Sequence, residues 1–415
     1  MPPTRPIRIA RVITRLGVGG AALHVALLSR HLDQNEFSAR LFTGRSDPIE
    51  GDMLALRGET DLQVQIVPSL RRDAAPARDL RALRDLTRHF RGFRPDLVDT
   101  HLSKAGFLGR LAAKMARVPA ITHTFHINIF GGYVWNPLEL AAYRQLEIAA
   151  ARWSDRLICL SDELGDELLG CGIGHRAQFR TIHLGVELAP FEPTPAKIAA
   201  ARRELRHELG LEADAILIGH ISRLAPVKSV KTFVHAAAIM HRSRRDATFL
   251  VIGEGETRAR LEALARELNL GQSLRFLGLR SDIARLNLAL DAVALTSLQE
   301  GTPISIIESL AAARPVVASD VGGVSRLIES ETTGILTPPN DPHGVARALE
   351  RVLSEPEWAA RLGQNGRRKM RHEFDVSRMT AEHRALYFEV AREKTGSRNT
   401  GADWRRRAGN YEAQI

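Results

Sequence analysis

Two carboxylates, Glu300 and Glu308, bracket a Thr-Pro pair in the segment Leu298-Gln-Glu-Gly-Thr-Pro-Ile-Ser-Ile-Ile-Glu308. Thr302 is a good helix N-cap and Pro303 suits the first helical position, so the spacing predicts a helix opening here with its unpaired N–H groups pointing outward. Such an end attracts anions. Glu308 falls one and a half turns inside, and its neighbours at three and four residues, Ile304, Ser305, Ala311 and Ala312, make a mostly apolar face. A carboxylate there is costly without a partner. A sugar diol is a fitting one, because a carboxylate accepts two hydroxyl protons side by side.

With the following Ser309-Leu-Ala-Ala-Ala-Arg-Pro-Val-Val-Ala-Ser-Asp-Val-Gly-Gly323, this segment resembles the Glu-x7-Glu signature of retaining, nucleotide-sugar-dependent glycosyltransferases of the GT-B fold, family 4. The resemblance extends over nearly the whole chain and implies roles for further positions. Ser222-Arg223-Leu-Ala-Pro-Val-Lys228 resembles the family's Arg and Lys pair for the donor diphosphate, with Ser229 where Gly is usual. Fixed cations there stabilise the charge that builds on a departing nucleotide. Thr122-His123-Thr-Phe-His126 resembles the Thr-Phe-His segment that contacts the transferred sugar. Alternation sends His123 and His126 to opposite faces, and His126, nearest the strand end, is the candidate that faces the cleft. The resemblance further gives Glu308 to the ribose, Glu300 to the donor sugar hydroxyls, and the backbone of Gly301, Thr302, Pro303 and Ile304 to sugar and diphosphate. His101-Leu-Ser103-Lys104 also looks like the family, with Ser103 or Lys104 meeting donor or acceptor.

Gly-rich turns complete the candidate set. Gly17-Val-Gly19-Gly20 lets backbone approach a phosphate, although Ala22 stands where the family often has Glu, and Gly253-Glu-Gly255 reads as a tight strand–helix turn lining the nucleotide pocket. No Asp-x-Asp, His-Glu-x-x-His or Gly-x-Ser-x-Gly occurs, so metal-bridged transfer and serine hydrolysis lack their usual parts, and neither a metal nor a cofactor is expected. No catalytic base stands out. In the family the leaving phosphate is thought to help deprotonate the acceptor.

The elements that must position these residues alternate in type. Strands are expected near Ile7–Thr14, Ser38–Phe42, Leu62–Val67, Leu97–Thr100, Ala120–Phe125 and Arg156–Leu160, and again near Ile216–Ile221, Thr248–Ile252, Leu274–Leu277, Ala292–Thr296, Val316–Ala318 and Gly334–Leu336. Apolar, β-branched strands alternating with helical patterns read as α/β architecture with parallel sheets covered on both faces. The fold expected is two Rossmann-like domains facing each other across a cleft: an acceptor-side domain over 1–190, a nucleotide-sugar donor domain over 196–374, and a helix over 375–394 that returns to the first domain. The proline-rich Ala189–Pro195 is the linker candidate, and residues 395–415, with Arg405-Arg406-Arg407, read as a disordered basic tail.

At 415 residues and 44% hydrophobic content the chain can fill two cores. Cys159 and Cys171 have no partners at metal or framework spacing, which suits a reducing cytosol. No apolar run is long enough to span a membrane and the N-terminus lacks a signal-peptide core. A formal charge of +10 points to an anionic partner. One source of attraction is the helix around Arg78–Arg91, where Arg81, Arg84, Arg88 and Arg91 share a face beside a Leu80, Leu83, Phe90 stripe, a pattern compatible with anionic membrane and a lipid-linked acceptor. The reading is a cytoplasmic glycosyltransferase, peripheral to the inner membrane face, moving a sugar from a nucleoside-diphosphate donor, UDP foremost, to a sugar, lipid-linked or small-molecule acceptor. The rivals are a sugar-nucleotide epimerase of the same fold and a basic nucleic-acid-binding protein, in whose cleft Glu300 and Glu308 would repel phosphates.

Overall fold

The computed structural model describes residues 5–46, 51–57, 62–128, 130 and 136–395. The tail expectation lies outside them. The described residues form two parallel sheets. The first runs β3-β2-β1-β4-β5-β6-β7, with β1 Ile7–Ile13, β2 Phe37–Thr43, β3 Val64–Ile66, β4 Leu97–His101, β5 Ala120–Phe125, β6 Arg156–Cys159 and β7 Phe179–Thr181. The second runs β10-β9-β8-β11-β12-β13, with β8 Ile216–Ile221, β9 Ala247–Ile252, β10 Leu274–Gly278, β11 Ala292–Leu295, β12 Val316–Ser319 and β13 Ile335–Thr337. In each, strand order reverses beside the first strand, and ligands of such sheets lie beyond the carboxyl ends at that point. The edge strand β7 was not anticipated; its three residues, Phe-Arg-Thr, carry too little pattern and owe their conformation to pairing with β6.

Alternation along β1 sorts its two faces. Ile9 and Ile13 pack with Leu27 of the helix Gly20–His31 and with Leu386 and Val390 of the last helix, Val376–Thr395. Ala10 and Val12 pack instead with Phe90 of the helix Pro76–Phe93 and Ala112 of the helix Ser103–Ala116. Arg11 belongs by alternation to the first face and is fully buried there.

The chain crosses between the halves at 182–194 and returns at Asp375, where Val186 and Asp375 form a parallel bridge. Leu184, Val186, Leu188 and Phe191 are buried with the second sheet's residues, and Pro195 opens a helix over Pro195–Glu208 capped by Thr194. Among the described residues no helix is long and apolar enough to cross a membrane. The basic helix Pro76–Phe93 exposes Arg81, Arg84, Arg88 and Arg91, but its expected apolar stripe is a correction: Leu80 is exposed, Leu83 half-buried, and Phe90 buried edge-on against Phe42. Core packing claims the aromatic end of that stripe.

Candidate active site

A cleft of ≈ 1040 Å³ separates the halves, lined on one side by Gly19, Gly20 and Leu102 and on the other by Arg223, Lys228, Gly253, Glu300, Thr302, Pro303, Ile304 and Glu308. Gly301 and His126 stand at its margin, where the halves touch. A Cβ on Gly301 would lie 2.7 Å from the His126 carbonyl oxygen, so only glycine permits that approach. Opposite, a Cβ on Gly20 would lie 3.4 Å from Ile304 Cδ1.

The helix behind this wall is Ile304–Ala311, one residue later than the sequence suggested. Pro303 is extended (φ −73°, ψ 109°) and takes the cap position in place of Thr302. Its carbonyl accepts from the N–H of Ile306 at 3.1 Å and of Ile307 at 3.4 Å, which leaves the N–H groups of Ile304 and Ser305 directed at the cleft end of the helix. Glu308, half-buried, lines the cleft one turn deeper.

Lys228 and Glu300 meet in an ion pair, Nζ to Oε1 at 2.6 Å, and Ser297 Oγ donates to the same oxygen at 2.6 Å. Lys228 ends a short turn, Pro226–Lys228, that Leu298 ties down by donating to Val227 O at 2.8 Å. Ser229, in the usual place of a glycine, adopts the left-handed region (φ 42°, ψ 42°). Its hydroxyl lies 3.0 Å from Thr232 Oγ1 and its carbonyl accepts from Thr296 Oγ1 at 3.0 Å, so local bonds offset a backbone strain of about 1 kcal/mol. Arg223 is exposed at the cleft mouth. Gly253 has φ 134°, and a Cβ there would sit 2.0 Å from Ser222 O, so the β8 and β9 loops meet only because the residue is glycine.

The first half contributes a sealed polar group. His126, expected to face the cleft, presents its carbonyl to Gly301 while its ring turns back onto His101, Nε2 to Nδ1 at 3.2 Å. His101 Nε2 lies 3.1 Å from Asp99 Oδ2, which also receives Tyr387 OH at 2.7 Å and Arg11 Nε at 3.1 Å. Burial first, then His101, pushes the His126 imidazole down to about 3. Burial works against ionised Asp99, yet His101, Arg11 and Tyr387 hold its carboxyl well below the usual carboxylate range. His24 is buried edge-on against His126, with 5.1 Å between ring centroids, and neither of its nitrogens has a hydrogen-bond partner. His123 points the other way, its Nδ1 2.9 Å from Thr100 Oγ1. Lys104 is drawn to Asp79 at 2.6 Å and Ser103 opens its helix; neither lines the cleft. Asp99, Arg11, His24 and Tyr387 were not foreseen. Asp99-x-His101, two residues on one strand face, was the available signal. Among the described residues no group of three or more His, Cys, Asp or Glu is placed to hold a metal ion.

Residues 201–369 match the family Glycosyl transferases group 1, and residues 18–190 match Glycosyltransferase Family 4. The chain is 30% identical over 363 residues to UDP-Gal:alpha-D-GlcNAc-diphosphoundecaprenol alpha-1,3-galactosyltransferase of Escherichia coli, covering 86% of this chain and 91% of that one. It is 31% identical over 298 residues to alpha-D-kanosaminyltransferase of Streptomyces kanamyceticus, covering 69% and 74%. Anabaena HepE, solved with UDP and glucose, superposes with a TM-score of 0.78 at 22% identity over 92% of this chain and 99% of that one, a likeness of fold. With two parallel sheets about a shared cleft, the architecture is GT-B, and the chain belongs to the group 1, family 4 glycosyltransferases.

Proposed function

We propose that the chain transfers a sugar from a nucleoside diphosphate, UDP foremost, to an acceptor hydroxyl with retention of configuration, in polysaccharide, glycolipid or other glycoconjugate synthesis. The observation that carries this reading is one cleft wall holding Arg223, Lys228 and the open first turn of Ile304–Ala311 above Glu308. The diphosphate takes Lys228, Arg223 and the Ile304 and Ser305 N–H groups, and Glu308 takes the ribose hydroxyls. As Lys228 turns from Glu300 to phosphate, Glu300 is freed to accept from the sugar's hydroxyls.

The bond from anomeric carbon to phosphate oxygen breaks with its electron pair left on the phosphate. The acceptor oxygen bonds the carbon on the same face, and its proton passes to the leaving phosphate. None of these steps calls on a metal, and none is proposed as a cofactor. The E. coli relative's name specifies UDP-Gal and a diphosphoundecaprenol-linked acceptor, which supports a uridine nucleotide and a lipid-linked sugar acceptor here. The four exposed arginines of Pro76–Phe93 then serve peripheral attachment to anionic membrane by charge, at up to about 1 kcal/mol each. Incubating the purified protein with UDP-sugars, with and without a polyprenyl-diphosphate sugar, tests the reading. Glycosylated lipid and free UDP are expected only with both substrates. Epimerised donor formed without acceptor would contradict it.

A further inference from the structure

We propose that Asp99 and His101 are positioning residues for His126, with Tyr387 of the last helix as their anchor. The sugar contact of His126 comes from the family resemblance and rests on the glycosyltransfer reading above; the hydrogen-bond chain behind it does not.

Strand register puts Arg11 of β1 beside Asp99 of β4, and Asp99 beside Thr122 of β5. Every neighbour of the Asp99 carboxylate must donate, since an ionised carboxylate only accepts. Oδ1 receives Thr122 Oγ1 at 2.9 Å, and Oδ2 receives Arg11, Tyr387 and His101. His101 therefore donates from Nε2 to Asp99, and its Nδ1 faces His126 Nε2 at 3.2 Å. His126 is thereby held through Nε2, and its Nδ1 makes no hydrogen bond to a described residue. Half-buried beside Gly301 at the cleft margin, His126 keeps that Nδ1 for a hydroxyl of the transferred sugar.

The surroundings hold the chain in place. Asp99 is matched by the buried cation of Arg11, and the rings of His24 and His383 pack in the same pocket, with His24 centroids 5.6 Å from His101 and 5.4 Å from His383. Tyr387 closes the arrangement by donating to Asp99 at 2.7 Å and accepting from Arg11 at 3.2 Å. The helix that returns from the second half thus anchors the hydrogen-bond chain behind a residue at the cleft.

The test compares Asp99→Asn, His126→Ala, Tyr387→Phe and the two doubles that combine His126→Ala with each of the others for kcat and donor KM, with ¹⁵N-histidine NMR of the wild type and Asp99→Asn. An Asn at 99 keeps the size of the side chain but replaces one accepting oxygen by an NH₂. Asp99→Asn and His126→Ala are each expected to lower kcat roughly 10²-fold with donor KM within about threefold, the double variant being no worse than His126→Ala. Tyr387→Phe is expected to lower kcat roughly fivefold alone and not at all on His126→Ala. Losses that multiply in the doubles would overturn the proposal, and the Tyr387 pair decides it if Asp99→Asn does not fold. The resonances of His126 are expected to move in Asp99→Asn; unchanged resonances would also overturn it. Resonances that move in this way in a protein that transfers no sugar would sink the functional reading and leave the hydrogen-bond chain standing.

Discussion

Charged groups on the second half's wall stand at the rim of the sheet, Arg223 exposed and Lys228 half-buried above a buried Glu300, and are paired in ways a ligand can exchange: Lys228 with Glu300, and open N–H groups at Ile304 and Ser305. In the first half the ionisable groups lie beneath the sheet end, sealed, and bonded to one another through Asp99, His101 and His126. The rim can change partners because water or substrate replaces each lost contact. The sealed group cannot, since a buried donor or acceptor left unpaired costs about 1–3 kcal/mol. One wall is built to respond and the other to hold a geometry.

The rim breaks most visibly. Lys228→Ala or Arg223→Ala should lower turnover by roughly 10²-fold or more in a protein that still folds, as loss of one preorganised cation or donor does elsewhere. Removing Lys228 also leaves Glu300 Oε1 with Ser297 as its remaining partner. Near-normal turnover in a folded variant would remove both cations from the leaving-group role.

The sealed side should reveal itself through pH. Burial and neighbouring charges push His126 to about 3, His383 to about 4, and His24 well below 6.5. Unfolded, each takes a proton near 6.5; folded, each stays neutral. The folded chain therefore binds fewer protons below that pH, and stability present above about 6.5 is lost as pH falls, at about 1.4 kcal/mol per unit for each imidazole. His24→Leu should flatten this acid slope in urea titrations. An identical slope would show that His24 is not held neutral by the fold.

Smaller effects sharpen the contrast at the surface and in the loop. Replacing Arg81, Arg84, Arg88 and Arg91 by Gln should abolish salt-sensitive co-sedimentation with anionic liposomes; binding that persists, or a wild type that does not bind, would move attachment away from this helix. Ser229→Gly exchanges relief of left-handed strain for loss of the hydroxyl contact with Thr232, so its stability should change by less than about 1 kcal/mol in urea. A larger loss would make the hydroxyl, not the backbone, the reason for serine.

The same contrast explains what the sequence disclosed. Rim residues sit in short segments just after strands, so a family resemblance confined to each segment was enough to single out Arg223, Lys228, Gly253, Glu300 and Glu308, which line the cleft. The Thr302 cap was misplaced because Pro303 itself takes the extended cap conformation, a choice local preference does not settle. The sealed group is assembled over long separations, with Tyr387 and Asp99 288 residues apart, and only the two-residue spacing of Asp99 and His101 hinted at it. The partner of Lys104 was hidden for a related reason: Asp79 comes from a different helix.

The central claim is that the cleft binds a nucleoside diphosphate with Glu308 on the ribose. Calorimetric titration of wild type and Glu308→Gln with UDP, GDP and ADP tests it directly. UDP should bind the wild type in preference to the other two, and Glu308→Gln should weaken it about tenfold, the loss of a charge-assisted hydrogen bond. No binding by any of the three, or equal affinity in the two proteins, would contradict the account.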